Sequence, residues 1–112
     1  MKANVVYHQD VPLQALGGGV SRRILAYNEQ LMMVEVVFEQ GGVGTFHTHP
    51  HVQCTYVQSG RFRFTLDGEE VEVGAGDSLC FPSGIPHGTL CLEKGVLLDV
   101  FTPMRADFLK KA

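Results

Sequence analysis

The sequence predicts an all-β barrel or sandwich, and three observations carry that expectation. Short runs rich in Val, Ile, Phe and Tyr recur along the chain, turns bearing Gly, Asn or Asp separate them at regular spacing, and only the last residues carry a helical pattern. At 112 residues, with 45% hydrophobic content and 13 Gly, the chain suits one compact, turn-rich domain over residues 1–112. No linker, repeat or low-complexity stretch divides it.

Taken in order, Val20 to Tyr27 and Leu31 to Glu39 read as two strands joined through Asn28-Glu29-Gln30. Gly41-Gly42-Val43-Gly44 then reads as a turn that releases the chain into a His-rich segment. Val52 to Gln58 is the next strand, closed by Ser59-Gly60. Arg61 to Leu66 alternates polar residues with Phe62, Phe64 and Leu66, and Asp67-Gly68 is a strong hairpin signal leading to Val71 and Val73. After a turn at Gly74-Ala75-Gly76-Asp77 come the strand Ser78 to Phe81 and a rigid loop, Pro82 to Pro86, that delivers His87. Val96 to Phe101 is the last strand, and Met104 to Lys111 is expected to form a short C-terminal helical turn, with Phe108 and Leu109 as apolar anchors. The spacing suggests a continuous antiparallel meander.

Composition excludes several functions. A net charge of -3 and a pI near 5.9 give no basic surface for nucleic acid. No apolar run approaches the ~20 residues of a membrane helix. Met1 to Gln14 lacks a basic start followed by an apolar run, so the expectation is a cytoplasmic protein. Cys54, Cys80 and Cys91 are odd in number and have apolar neighbours in sequence, which reads as reduced structural thiols.

The chemistry concentrates in His47-Thr48-His49-Pro50-His51-Val52-Gln53 and in the distant His87. Neutral imidazole is a good ligand for divalent transition metals, and the amide oxygen of Gln adds an uncharged donor. In extended backbone His47, His49, His51 and Gln53 all project to one side, although Pro50 interrupts the alternation. Not all four are needed to hold one ion.

Two spaced motifs resemble the cupin superfamily. The first runs Gly, five residues, His-x-His, three or four residues, Glu, six residues, Gly, and reads here Gly41, His47, His49, Gln53, Gly60. The second runs Gly, five residues, Pro-x-Gly, two residues, His, three residues, Asn, and reads Gly76, Pro82, Gly84, His87, Cys91. The resemblance implies a double-stranded β-helix, or jelly-roll barrel, with His47, His49, Gln53 and His87 turned inward on one divalent metal ion: Zn, Mn, Ni or Fe. Two positions depart from the pattern. Gln53 replaces Glu, which removes a negative charge from the ligand set and leaves a more electrophilic ion, and Cys91 replaces Asn.

A narrower likeness follows the second motif. Asp99-Val100-Phe101-Thr102-Pro103-Met104-Arg105 is similar to the C-terminal signature of KdgF-type uronate-processing cupins, whose metal set is three His and one Gln. That resemblance implies that activity depends on Asp99, Phe101 and Arg105. The residues make sense on their own terms. Asp99 interrupts an apolar run in which Leu97, Asp99 and Phe101 share one face, so a cavity-facing carboxyl there would be poorly hydrated and suited to acid or base work. The blander alternative is a solvated Asp99 or a structural pair with Arg105. A guanidinium at Arg105 can grip a carboxylate through two parallel hydrogen bonds, and Phe101 can wall a sugar ring.

Other residues carry less. His51 is an alternative ligand that the cupin spacing does not require, and His8 reads as surface. Arg61 and Arg63 face opposite Phe62 and Phe64, as a basic cavity wall or as a solvated exterior, while Tyr27, Met33 and Tyr56 are candidates for the cavity lining. The functional expectation is ring opening and tautomerisation of a 4,5-unsaturated uronate monomer, from pectin or alginate breakdown, to its linear keto form. The partner is then a small anionic sugar. A metal-dependent oxygenase and a non-catalytic sugar-binding module are the alternatives, separated by oxygen consumption and by indifference to Asp99→Ala. Homodimerisation is expected by resemblance to small cupins, with exchange of the N-terminal strands.

Overall fold

The computed structural model describes residues 3–109. Eight strands form over Gln14–Gly17 (β1), Val20–Tyr27 (β2), Met32–Phe38 (β3), Val43–His47 (β4), Val52–Leu66 (β5), Glu69–Gly74 (β6), Ser78–Phe81 (β7) and His87–Thr102 (β8). The pairing is antiparallel throughout, in the order β1-β2-β3-β8-β5-β6, with β4 added to β8 and β7 added to β5. No described helix is long and apolar enough to cross a membrane.

The two long strands organise the barrel. β5 and β8 pair from Val52↔Thr102 to Leu66↔His87. Each changes its second neighbour part-way: β5 takes β7 along 53–56 and β6 along 61–66, and β8 takes β4 along 87–90 and β3 along 95–101. The change coincides with irregular register between Val57 and Phe62, where both strands turn the barrel's corner. Two glycines make the corner possible. A side chain at Gly60, whose φ is +85°, would lie 2.5 Å from the Glu93 carbonyl, and one at Gly95 would drive into the Ser59 backbone.

This topology corrects three expectations. Ser59-Gly60 bends one 15-residue strand instead of ending it, because β8 continues the ladder on its far side. The segment around Val43 is a strand, because Val43 and Gly44 find partners at Leu90 and Thr89 that no local pattern reveals. The sheet is not a meander, since β3, paired with β2 on one side, passes over β4 to β7 to pair on the other with β8 some 60 residues away. Asp67-Gly68 does form the expected hairpin, with both φ angles positive, as a two-residue turn matched to strand twist requires. The C-terminal turn is a short 3-10 segment, Ala106–Leu109, and Lys110 and Lys111 lie outside the described residues.

Inside, Val20, Phe38, Val57, Phe62, Phe64, Phe81, Cys91 and Leu97 form the main core. Phe38 meets Phe62 edge-on at 5.2 Å and Phe64 meets Phe81 at 5.8 Å. A second cluster, Met32, Val34 and Phe101, closes the end near the C-terminal turn. Arg61 and Arg63 point outward to Glu93 and Glu70, so they belong to the exterior. Tyr27 and Tyr56 are also exposed, and neither they nor Met33 line the cavity. Of the thiols only Cys91 is buried. Cys54 and Cys80 stand opposite each other on the outer face of β5 and β7, which corrects the expectation of three apolar sites.

Candidate metal centre and active site

Register assembles the histidines. The pairing of β4 with β8 sets His47 directly across from His87, with ring centroids 4.5 Å apart. His49 follows in the loop and packs edge-on to His87 at 4.9 Å. The ligand nitrogens of His47, His49 and His87 lie within 4.8 Å of one another. His49 and His87 are buried, while His47 stands at the mouth.

Each ring is held by its other nitrogen. Nδ1–H of His47 donates to the Thr45 carbonyl, that of His49 to His51 (3.1 Å) and that of His87 to Ile85 (3.0 Å). Three backbone carbonyls thereby fix three tautomers with the Nε2 lone pair free, the arrangement that metal-binding imidazoles require. Burial pushes the pKa of His49 and of His87 down, which also favours the neutral ligand form.

Gln53 turns its amide oxygen toward the same point. Its Nε2 donates to Thr55 Oγ1 at 2.9 Å, so Oε1 is turned toward the histidines and lies 2.9 Å from His49 Nε2. With Nδ1 of His49 carrying the proton, both of these atoms are acceptors. A cation between them resolves the conflict, and donors on metal bonds of about 2.1 Å do sit about 3 Å apart. The donor set therefore fits a divalent transition metal. His51 is turned elsewhere: its Nε2–H donates to the Met104 carbonyl at 3.1 Å, tying down the C-terminal segment, and its buried Nδ1 has no partner among the described residues.

Asp99 sits directly across from Thr55 in the β5–β8 register. Thr55, fully buried, accepts from Gln53 and donates to Asp99 Oδ1 at 2.7 Å. A hydrogen-bonded line thus runs from Gln53 to the carboxyl. Burial raises the Asp99 pKa to about 6, against the pull of Thr55, Gln53 and the Arg105 charge. Phe101, two residues on, packs edge-on to His49 at 5.7 Å. Arg105 is buried, with its guanidinium 4.2 Å from the Phe108 ring centre and 5.1 Å from that of Phe101. Asp107 takes one edge of it through bonds of 3.0 and 2.8 Å.

His47, Gln53, His87, Asp99, Phe101 and Arg105 all line one open cavity of about 450 Å³, a size suited to a single sugar. His49 lies behind this wall, against Gln53 and Phe101. Three contributors escaped sequence reasoning. Thr55 shares the inward alternation of Gln53 and Val57, a signal the sequence does carry. Arg22 and Phe108 reach the cavity from β2 and from the C-terminal turn, and only tertiary packing reveals them.

A family model described as "Cupin domain" matches residues 34–101, from β3 to Phe101. The chain belongs to the cupin family. This cupin is 41% identical over 102 residues to the pectin degradation protein KdgF of Dickeya dadantii (strain 3937), covering 89% of this chain and 93% of that protein. The solved structure of KdgF from Halomonas sp. matches with a TM-score of 0.90 and 34% identity, over 96% of this cupin and 99% of that chain. An RmlC-like cupin from Shewanella frigidimarina NCIMB 400 matches with a TM-score of 0.90 and 36% identity, over 96% of each chain.

Proposed function

We propose that this cupin is a metal-dependent enzyme that converts 4,5-unsaturated uronate monomers, products of pectin or alginate breakdown, into linear keto-uronates. The observation that carries the reading is Asp99: a carboxyl with a pKa near 6, on the wall of a sugar-sized cavity that also holds the His nitrogens, Gln53 and Arg105. The likeness to two KdgF proteins supports it.

The substrate is both a cyclic hemiacetal and an enol ether. Asp99, as carboxylate, takes the proton of the anomeric hydroxyl; the C1–O5 bond breaks with its electron pair going to O5, leaving an aldehyde at C1 and an enolate across O5, C5 and C4. The same carboxyl returns the proton to C4, giving the 5-ketone, so no oxidant is needed. Arg105 holds the substrate carboxylate by the guanidinium edge that Asp107 leaves open, which fixes C4 and C5 relative to Asp99. Phe101, itself buried, walls the ring on one side and limits access of water to the enolate. His47, His49, Gln53 and His87 would hold a divalent ion (Zn, Mn, Ni or Fe), which when bound supplies Lewis acidity toward substrate oxygens.

Ultraviolet absorbance of the conjugated double bond tests the proposal directly. Metal-loaded wild type should speed its loss, and Asp99→Ala with metal retained should be slower by roughly 10²–10⁴-fold, the usual worth of a general acid–base. Equal rates for both proteins would remove Asp99 from the reaction. The cytoplasm, where the three free thiols would persist, and a homodimer complete the proposal. Exposed Val5, Tyr7, Leu13 and Leu16 in the N-terminal segment give strand exchange an apolar surface to bury.

A further inference from the structure

Arg22 on β2 lines the same cavity as Asp99 and Arg105, and neither the cupin motifs nor the mechanism above gives it a role. Its guanidinium carbon lies 3.9 Å from the centre of the Phe108 ring, the ring against which Arg105 packs at 4.2 Å. Two cations therefore share one aromatic support at one end of the cavity.

Their charges are balanced very differently. The other four arginines each have a carboxylate oxygen between 2.7 and 3.8 Å away: Arg23 on Glu35, Arg61 on Glu93, Arg63 on Glu70 and Arg105 on Asp107. Among the described residues Arg22 has none. Its Nε–H donates to the neutral amide oxygen of Gln14 at 3.3 Å, and no side-chain acceptor meets its terminal nitrogens. Among the described residues, the only carboxyl in the cavity lining is Asp99, which is engaged by Thr55. Burial and the neighbouring Arg105 charge act against the Arg22 cation more than the Asp107 carboxylate, already bound to Arg105, offsets them, and an anion placed at this end relieves them.

We propose that Arg22 is a substrate-binding residue: with Arg105 it forms a two-guanidinium site for the sugar's carboxylate, and it makes the cavity select acidic over neutral sugars. The proposal deepens the uronate reading and rests on it for turnover, but the binding site itself requires only a carboxylate ligand. Arg105, already neutralised by Asp107, orients that ligand. Arg22, which has no carboxylate in contact among the described residues, supplies the charge that draws it in.

Calorimetric titration of the metal-loaded protein with galacturonate and with its neutral methyl ester tests this without any turnover. Wild type should bind the acid at least about tenfold more tightly than the ester, the worth of one charge-assisted hydrogen-bonded contact. Arg22→Gln should lose most of that preference, Arg105 keeping the remainder, and Arg22→Lys should keep more of it. In the wild type, the Arg22 side-chain nitrogen resonances should move with the acid and stay still with the ester, a readout that does not depend on any variant folding. Full acid preference in Arg22→Gln, no preference in wild type, or unmoved resonances would each overturn the proposal. With the unsaturated uronate, Arg22→Gln should raise KM about tenfold and leave kcat within a few-fold. A wild type that selects the acid through Arg22 yet does not speed loss of the double bond would sink the ring-opening reading and leave the carboxylate site standing.

Discussion

Asp99 and Thr55 are coupled, and each predicts something about the other. The folded pKa of Asp99, about 6, lies above the roughly 3.9 of an unfolded Asp. The folded state therefore binds more protons between those values, so the neutral carboxyl favours folding below pH ~4 and that advantage is lost as pH rises through ~6. Urea unfolding of metal-free protein should show stability falling across this window, and Asp99→Asn should flatten the fall. In the proposed reaction the carboxylate is the form that takes the anomeric proton, so kcat/KM should rise with pH through the same region. Thr55→Val removes a bond from both Asp99 and Gln53 and leaves buried polar atoms unmatched. It should cost about 1–3 kcal/mol in unfolding experiments and push the Asp99 pKa higher still, shifting the kcat/KM limb upward. Side chains near these two explain how far the sequence could be read. Asp99 stood out because a charge in an apolar run is conspicuous in one dimension. Arg22 did not, since a basic residue in a half-exposed strand looks solvated until Phe108 and Arg105 are packed beside it.

At the scale of elements, β5 and β8 were the hardest to read and matter most. Ser59-Gly60 has the local chemistry of a strand end, and the glycines before Val43 have the chemistry of a loop. In both places pairing with β8, 30 or more residues distant, overrides the local preference. The hairpin at Asp67-Gly68 and strands β2, β3 and β7 were legible because their signals are contained within a few residues. The corner predicts a sharp intolerance. Gly95→Ala adds a single methyl group where the Ser59 backbone already sits, and backbone does not move aside as a flexible side chain would. A loss of about 3 kcal/mol or more is expected in chemical denaturation, against about 1–2 kcal/mol for Gly76→Ala, where open space surrounds the site and only the positive φ opposes the change. Comparable losses at both positions would mean that the corner is not close-packed.

For the whole molecule, the proposed ligand set spans the chain from β4 to β8, so metal binding and folding should be linked. An ion present at a thousand times its dissociation constant adds about 4 kcal/mol to the folded state. Stripping the protein with a chelator should lower its melting temperature by roughly 10–20 °C, and adding back the correct ion should restore it. His87→Ala should abolish that response, as measured by scanning calorimetry with and without metal. The same integration has a consequence for how the protein opens. β5 carries Gln53 and Thr55 on one side of the glycine corner and the core residues Phe62 and Phe64 on the other, while β8 carries His87 at one end and Asp99 with Phe101 toward the other. Amide protons on the two sides of the corner should therefore exchange with deuterium together, at the rate set by global unfolding, and not in two separate kinetic classes. The proposed reaction centre should not loosen by itself: for the line from Gln53 through Thr55 to Asp99 to breathe, the barrel has to open with it.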